Sequence, residues 1–315
     1  MLKSTRSGFG KALLKLGETN PDVVVVSADL SSSTKLSDFA KKYPERFFEI
    51  GVAENNMMGV AAGLSLETKI PFVSSFAAFS PSINWAVIRQ SVCLPNLAVK
   101  IASTHAGLLT GPDGATHQAL EDLALMQVLP NMTVVVPADY DQAYEATLQS
   151  VKINGPVYIR LTRPDTPLLS NFQFSIFNFQ IGKAQVLKTG KDVTLVSCGP
   201  IIFEAIKAME VFEKENKKSV ELINCHTVKP LDIETLVNSV KKTKRMVTVE
   251  DHMVFGGMGA HISVALSQNY PVPMIIMGVK NSFGESARHE SELLKKFELD
   301  TPAIVKNLKK ILKLT

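Results

Sequence analysis

Short runs of valine and isoleucine recur along the chain, separated by helix-length stretches of mixed polarity. That alternation predicts parallel strands joined by crossover helices. In the first half the runs are residues 23–28, 71–76, 98–103, 133–136 and 157–162, each apolar on both faces as buried parallel strands must be. A second series follows at 193–197, 220–223, 246–249 and 274–277. The expected fold class is α/β, with two parallel-sheet-based α/β domains. Between the series, residues 163–190 carry Pro164, Pro167, Asn171 and the aromatics Phe172, Phe174, Phe177 and Phe179 without clean periodicity. They read as a linker packed across domain surfaces. The expected division is residues 1–165, a linker over 166–189, and residues 190–315.

Composition narrows the class. A chain of 315 residues is comfortable for two domains, and 45% hydrophobic with 20% charged residues excludes a disordered or fibrous protein. The net charge of +4 is spread over patches such as Lys241, Lys242 and Lys244, so nucleic acid is not implied. Three isolated cysteines, with no C-x-x-C pair, suggest neither a disulfide scaffold nor a cysteine-ligated zinc site. No apolar run approaches the roughly 18 residues of a membrane-spanning helix, and the N-terminus lacks a secretory apolar stretch. A soluble, cytoplasmic protein is expected.

Ligands of open parallel sheets bind beyond the carboxyl ends of the strands. Asp29 and Ser33 follow the first predicted strand, Phe76 and Phe79 the second, His105 the third and Arg163 the last of that series. Glu54 lies on a helical pattern where the residues three and four positions away (Ile50, Gly51, Met57, Met58) cannot pair with its charge. Small neighbours (Ala53, Gly59, Ala61, Ala62, Gly63) allow close packing, so a buried carboxyl is expected, either a structural acid satisfied by backbone amides or a functional one. Residues 104–118 form a glycine-hinged polar stretch too long for an ordinary turn. Its His105, Asp113 and His117 are compatible with a two-histidine, one-carboxylate metal triad, with proton transfer or sugar binding, or with mere solvation. Arg6 and Arg163 are bidentate donors of the kind a phosphate needs, with Ser33 as an added hydroxyl. Phe76 and Phe79 are core residues or a ligand wall. The run Gly256-Gly-Met-Gly259 lacks the spacing of a phosphate loop and is assigned no site.

The strings Asp29-Leu-Ser-Ser-Ser, Gly51-Val-Ala-Glu-Asn-Asn-Met, Ser74-Ser-Phe-Ala-Ala-Phe, Thr104-His, Gly111-Pro-Asp-Gly-Ala-Thr-His-Gln and Leu161-Thr-Arg-Pro resemble, in order and spacing, the pyrimidine-binding domain of transketolases. Val247-Thr-Val-Glu-Asp-His and Ser282-Phe-Gly-Glu-Ser are similar to the C-terminal domain shared by transketolases and deoxyxylulose-phosphate synthases. The resemblance implies ketol transfer between a ketose phosphate and an aldose phosphate, in the pentose phosphate pathway, with thiamine diphosphate as cofactor. It implies that Glu54 hydrogen-bonds the cofactor's aminopyrimidine, that Phe76 and Phe79 wall it, and that Asp29 lies close. His105 with Arg6, Ser33 and Arg163 is expected to hold the acceptor's phosphate, Asp113 a sugar hydroxyl, and His117 to assist proton transfer at the reacting carbonyl.

The G-D-G motif that holds the diphosphate and its Mg2+ or Ca2+ in this superfamily does not occur in the sequence. A separate large subunit is therefore expected to supply it, in a heterotetramer that also self-associates across a two-fold axis. Asn55 and Asn56 stand where many full-length transketolases have His-Ala, Pro112 replaces a usual acidic residue, and Ser82 takes a position often held by an aromatic. The competing readings are a beta-type subunit of another thiamine-diphosphate enzyme (deoxyxylulose-phosphate synthase-like or 2-oxoacid dehydrogenase), a non-catalytic regulatory subunit, and a metalloenzyme using His105, Asp113 and His117.

Overall fold

Runs of β-branched residues become strands wherever both faces can be buried, and the computed structural model, which describes residues 2–172, 174 and 179–314, follows that rule closely. In chain order the strands are β1 (Lys3–Ser4), β2 (Val23–Ser27), β3 (Phe47–Glu49), β4 (Ile70–Ser74), β5 (Lys100–Ser103), β6 (Thr133–Val135) and β7 (Val157–Arg160). They continue as β8 (Asp165–Thr166), β9 (Gln185–Lys188), β10 (Val193–Ser197), β11 (Val220–Asn224), β12 (Thr227–Lys229), β13 (Met246–Met253) and β14 (Met274–Val279).

The first sheet has the order β12-β6-β7-β5-β4-β2-β3 and the second β14-β13-β10-β11-β9. All neighbours run parallel except the edge strands β12 and β9. A two-stranded antiparallel ribbon, β1 with β8, ties the segment before the first helix to the segment after β7.

Each of the nine predicted strands is present, and the architecture is two α/β units. The strands that pattern reading passes over are short or at edges. β3 and β12 have three residues each. β9 lies in the stretch read as linker and alternates buried with half-buried positions, as an edge strand does. Phe177, one of the aromatics of that stretch, lies outside the described residues.

Alternate residues of the first sheet feed two cores. Val26, Val73, Ile101 and Tyr158 pack on one face, and Val25, Phe72, Val157 and Ile159 on the other. Each fully buried aliphatic or aromatic side chain stabilises the fold by about 1.5–3 kcal/mol before entropy is counted. The first of these cores also takes in Val196, Ile223 and Val228 from the second half, so the two sheets share one apolar seam. Helix Thr5–Thr19 approaches helix Tyr140–Ser150 so closely that a Cβ on Gly8 would sit 2.2 Å from the Tyr140 carbonyl oxygen. Arg6 stands on the first turn of helix Thr5–Thr19 and reaches the Ser33 carbonyl beyond β2. Among the described residues no helix is long and apolar enough to cross a membrane.

Candidate active site

Glu54 is the first residue of helix Glu54–Leu66, where a carboxylate meets the positive end of the helix dipole. It is 8% exposed. Its Oε1 accepts a hydrogen bond of 3.0 Å from the Ser75 hydroxyl, and its backbone carbonyl accepts one of 3.1 Å from Asn84 Nδ2. The carboxylate's partner is thus a hydroxyl just beyond β4, not the backbone amides that the sequence left open.

Ser75 leads directly into Phe76. Phe76 is buried and Phe79 half-buried, and their rings stack with centroids 5.9 Å apart. Both border the histidines. The His105 ring lies 3.8 Å from that of Phe76, while His117 meets Phe79 edge-on at 5.3 Å and Phe76 at 5.9 Å.

His105 follows β5 in a left-handed conformation with φ of 57° and is 3% exposed. Its Nδ1 lies 2.8 Å from Thr104 Oγ1. Burial, aided by the nearby charges of Arg6 and Arg163 and by His117, pushes its pKa down to about 3. It is therefore a neutral imidazole at physiological pH, able to donate or accept one hydrogen bond. His117 is half-buried with Nδ1 2.9 Å from Thr116 Oγ1, and Asp113 is exposed on the same loop. Among the described residues no group of three or more His, Cys, Asp or Glu side chains is placed to hold a metal ion. The geometry does not bring His105, Asp113 and His117 into a ligand set.

Arg6 and Arg163 converge from opposite ends of the first unit. Burial and the Arg163 charge lower the Arg6 pKa, with Asp165 and Asp113 opposing. Arg6 Nη1 donates to the Ser33 carbonyl at 2.8 Å, and Arg163 Nη1 to the Thr110 carbonyl at 3.3 Å. Ser33 therefore reaches the cluster through its backbone, where the sequence suggested its hydroxyl. Among the described residues, Arg6 Nε is buried without a hydrogen-bond partner. Two guanidiniums in mutual repulsion, one with an unused donor, form an arrangement that an oxyanion relieves.

Asp29 is exposed and in the left-handed region, with φ of 59°. Its N–H donates to Glu49 Oε1 at 2.7 Å, and the same oxygen accepts from Gly51 N–H at 3.2 Å. The Asp29 turn is thus tied to the turn that precedes Glu54. Asn55 and Asn56 are exposed, and Ser82 Oγ donates to the Ala77 carbonyl at 3.4 Å.

Sequence reasoning missed the supporting set of Glu49, Ser75, Asn84, Thr104 and Thr116. Three of these are hydroxyl residues directly adjacent in sequence to Phe76, His105 or His117, which is the only local signal they carry.

Residues 2–167 match the family model of the transketolase pyrimidine binding domain, and residues 182–304 that of the transketolase C-terminal domain. A chain named as a transketolase C-terminal section from Methanocaldococcus jannaschii is 41% identical over 97% of this chain and 95% of its own length. A 6-deoxy-6-sulfo-D-fructose transketolase subunit from a Clostridium species is 36% identical over 96% of this chain and 92% of its own. A solved structure titled as a split gene transketolase, inactive beta4 tetramer, superposes with a TM-score of 0.90 at 48% identity, covering 99% of both chains.

Proposed function

This chain belongs to the transketolase family, and from that premise we propose that it is the pyrimidine-domain subunit of a two-subunit transketolase, moving a two-carbon ketol unit from a ketose phosphate to an aldose phosphate. The observation that carries the reading is the meeting, at one edge of one sheet, of a buried acid, an aromatic wall, two histidines and a pair of guanidiniums.

The family uses thiamine diphosphate, which supplies the carbanion chemistry when bound. The residues present fit its pyrimidine half. Among the described residues, the buried Glu54 carboxylate takes a single hydrogen bond, from Ser75, so it has acceptor capacity left for a ring nitrogen. Phe76 and Phe79 offer a stacked apolar wall, and Asp29 stands on the neighbouring turn tied to Gly51 through Glu49.

The remaining residues act on the sugar. Arg6 and Arg163 bind the acceptor's phosphate, with Ser33 orienting Arg6 through its carbonyl. His105, neutral and fixed against Phe76, adds a directional hydrogen bond there instead of charge. Asp113 reads a sugar hydroxyl, and His117 hands a proton to or from the reacting carbonyl oxygen. A sulfonate presents the same oxyanion face, so a sulfonated sugar of the kind named for the Clostridium relative is the second substrate class this cluster fits.

The diphosphate and its Mg2+ or Ca2+ fall to a large subunit. Val52, two residues before Glu54, is 82% exposed, and Ile83, beside Asn84, is 56% exposed, which leaves an apolar rim around the acid for a partner to cover. Two large and two small subunits, with self-association across a two-fold axis, complete the assembly, and the cytoplasm is its compartment. The relative titled as an inactive tetramer of beta chains supports the expectation that this chain alone does not turn over.

The test is ketol transfer from xylulose 5-phosphate to ribose 5-phosphate with thiamine diphosphate and magnesium, for the chain alone and with its large subunit. Activity in the mixture only is expected. A stable cofactor-loaded complex inert toward both phosphorylated and sulfonated ketoses would refute the reading.

A further inference from the structure

Asp251 belongs to β13 of the second sheet, yet its carboxylate is spent on the first unit. Oδ1 accepts from the Leu108 N–H at 2.7 Å and Oδ2 from the Leu109 N–H at 3.4 Å. The neighbouring buried Arg160 acts on that carboxylate through its charge, while its hydrogen bonds go elsewhere. Arg160 Nε pairs with Asp122 at 2.8 Å, and its Nη2 donates to the backbone carbonyls of Asp251 at 2.9 Å and Ala119 at 3.2 Å. Glu250, which precedes Asp251 in the chain, turns away and accepts from the Met258 and Gly259 amides.

The end of β13 therefore grips both legs of the loop whose tip carries Asp113 and His117. On the outgoing leg stands the Asp251 carboxylate. On the returning leg, Met253 N–H donates to the Leu120 carbonyl at 2.8 Å, and Leu123 N–H donates to His252 Nε2 at 3.1 Å. Gly107 is part of this fit. It has φ of +76°, and a Cβ there would lie 2.1 Å from Asp251 Oδ2, so only glycine admits the carboxylate. A charged acceptor buried against two amides is a stronger and more directional tie than a neutral one.

We infer that Asp251 is a positioning residue for the proposed reaction: its carboxylate fixes residues 107–109 and thereby sets where Asp113 and His117 meet the acceptor sugar. The consequence for turnover rests on the sugar-facing reading of that loop given above; the clamp itself does not.

The experiment uses the full chain as Asp251→Asn and Asp251→Ala, with Glu221→Gln as the control. Glu221 is a buried acid of the same sheet, 1% exposed, whose carboxylate pairs with Lys242 at 2.5 Å and accepts from the Gly190 N–H at 3.3 Å, both in the second unit. Amide hydrogen exchange is followed on peptides spanning residues 104–118, and acceptor KM, kcat and thiamine diphosphate affinity are measured in the two-subunit complex. Removing a charged acceptor from two amides should speed exchange in that peptide by at least about tenfold, and raise acceptor KM by a similar factor with cofactor affinity held. The control should change neither. Unchanged protection at 104–118, or protection lost equally through both sheets, would overturn the clamp. Lost protection with an unchanged acceptor KM would overturn its role in positioning. If the parent complex shows no ketol transfer at all, the functional reading fails, and the exchange result still decides the clamp.

Discussion

The Ser75 hydroxyl donates to Glu54 Oε1 across 3.0 Å, joining the start of one helix to the strand end that carries Phe76. The bond aims the acid with one oxygen and leaves the other for a ligand. Glu54→Gln keeps shape but replaces an acceptor oxygen with a donor nitrogen. It should cut ketol transfer in the two-subunit complex by on the order of a thousandfold, the scale of a lost proton-transfer partner, while assembly by gel filtration is unchanged. Substantial residual activity would count against the role. Ser75→Ala, which frees the carboxylate without removing it, should cost only about tenfold.

His105 is held neutral, since burial, Arg6 and Arg163 push its pKa down to about 3. A cationic phosphate ligand would strengthen as pH falls through the ordinary imidazole range, whereas a neutral one is indifferent to it. His105→Gln should therefore lower kcat/KM for a phosphorylated acceptor by the same factor from about pH 6 to 8, leaving the shape of the profile intact. An acid-side gain present in the parent and absent in the variant would contradict the neutral assignment.

Burial and the Arg163 charge lower the Arg6 pKa, and among the described residues Arg6 Nε has no hydrogen-bond partner. Arg6→Ala should raise KM for a phosphorylated acceptor by about tenfold or more, the worth of a charge-assisted pair, and leave KM for the unphosphorylated aldose nearly unchanged. Equal losses on both acceptors would mean that Arg6 supports the fold of the edge and not the anion.

Much of this site is legible in the sequence because its residues follow strands. Asp29, Phe76, His105 and Arg163 sit after runs of valine and isoleucine whose burial fixes β2, β4, β5 and β7, and parallel topology brings those ends to one edge. What pattern could not show is pairing over long sequence distances. Nothing near Glu54 points to Ser75, nothing near Arg6 points to the Ser33 carbonyl, and Asp251 finds the Leu108 amide 143 residues away. The strand β12 is hidden for the same reason, since three residues carry no period and its partner β6 lies in the other half of the chain.

Val52 and Ile83 are large, apolar and exposed within a short chain distance of Glu54 and Asn84. An interface that covers the acid must bury them. Val52→Asp should weaken association with the large subunit by at least about tenfold in a sedimentation or pull-down titration, because the new charge would be desolvated without a partner. The isolated chain should keep its melting temperature within experimental error. Undiminished association would place the partner elsewhere.

His252 connects the site's support to pH. Its Nε2 faces the Leu123 N–H at 3.1 Å and its Nδ1 faces the Met253 carbonyl at 2.8 Å, so only the neutral ring protonated at Nδ1 satisfies both. Burial pushes its pKa down to about 4; Arg160 acts in the same direction, and Asp122, 3.8 Å from Nε2, opposes. In the unfolded chain the ring takes up a proton near pH 6.5. Between those values the unfolded state binds the extra proton, so this histidine's contribution is fully present above about pH 6.5 and is lost as pH falls toward about 4. His252→Gln retains an acceptor for the Leu123 amide but cannot titrate. Parent and variant should therefore converge in urea stability on acidification, the gap between them narrowing by about 2 kcal/mol from pH 7 to pH 5. A gap that stays constant would mean that the ring takes up its proton over the same pH range in the folded as in the unfolded chain, so that burial does not hold it neutral.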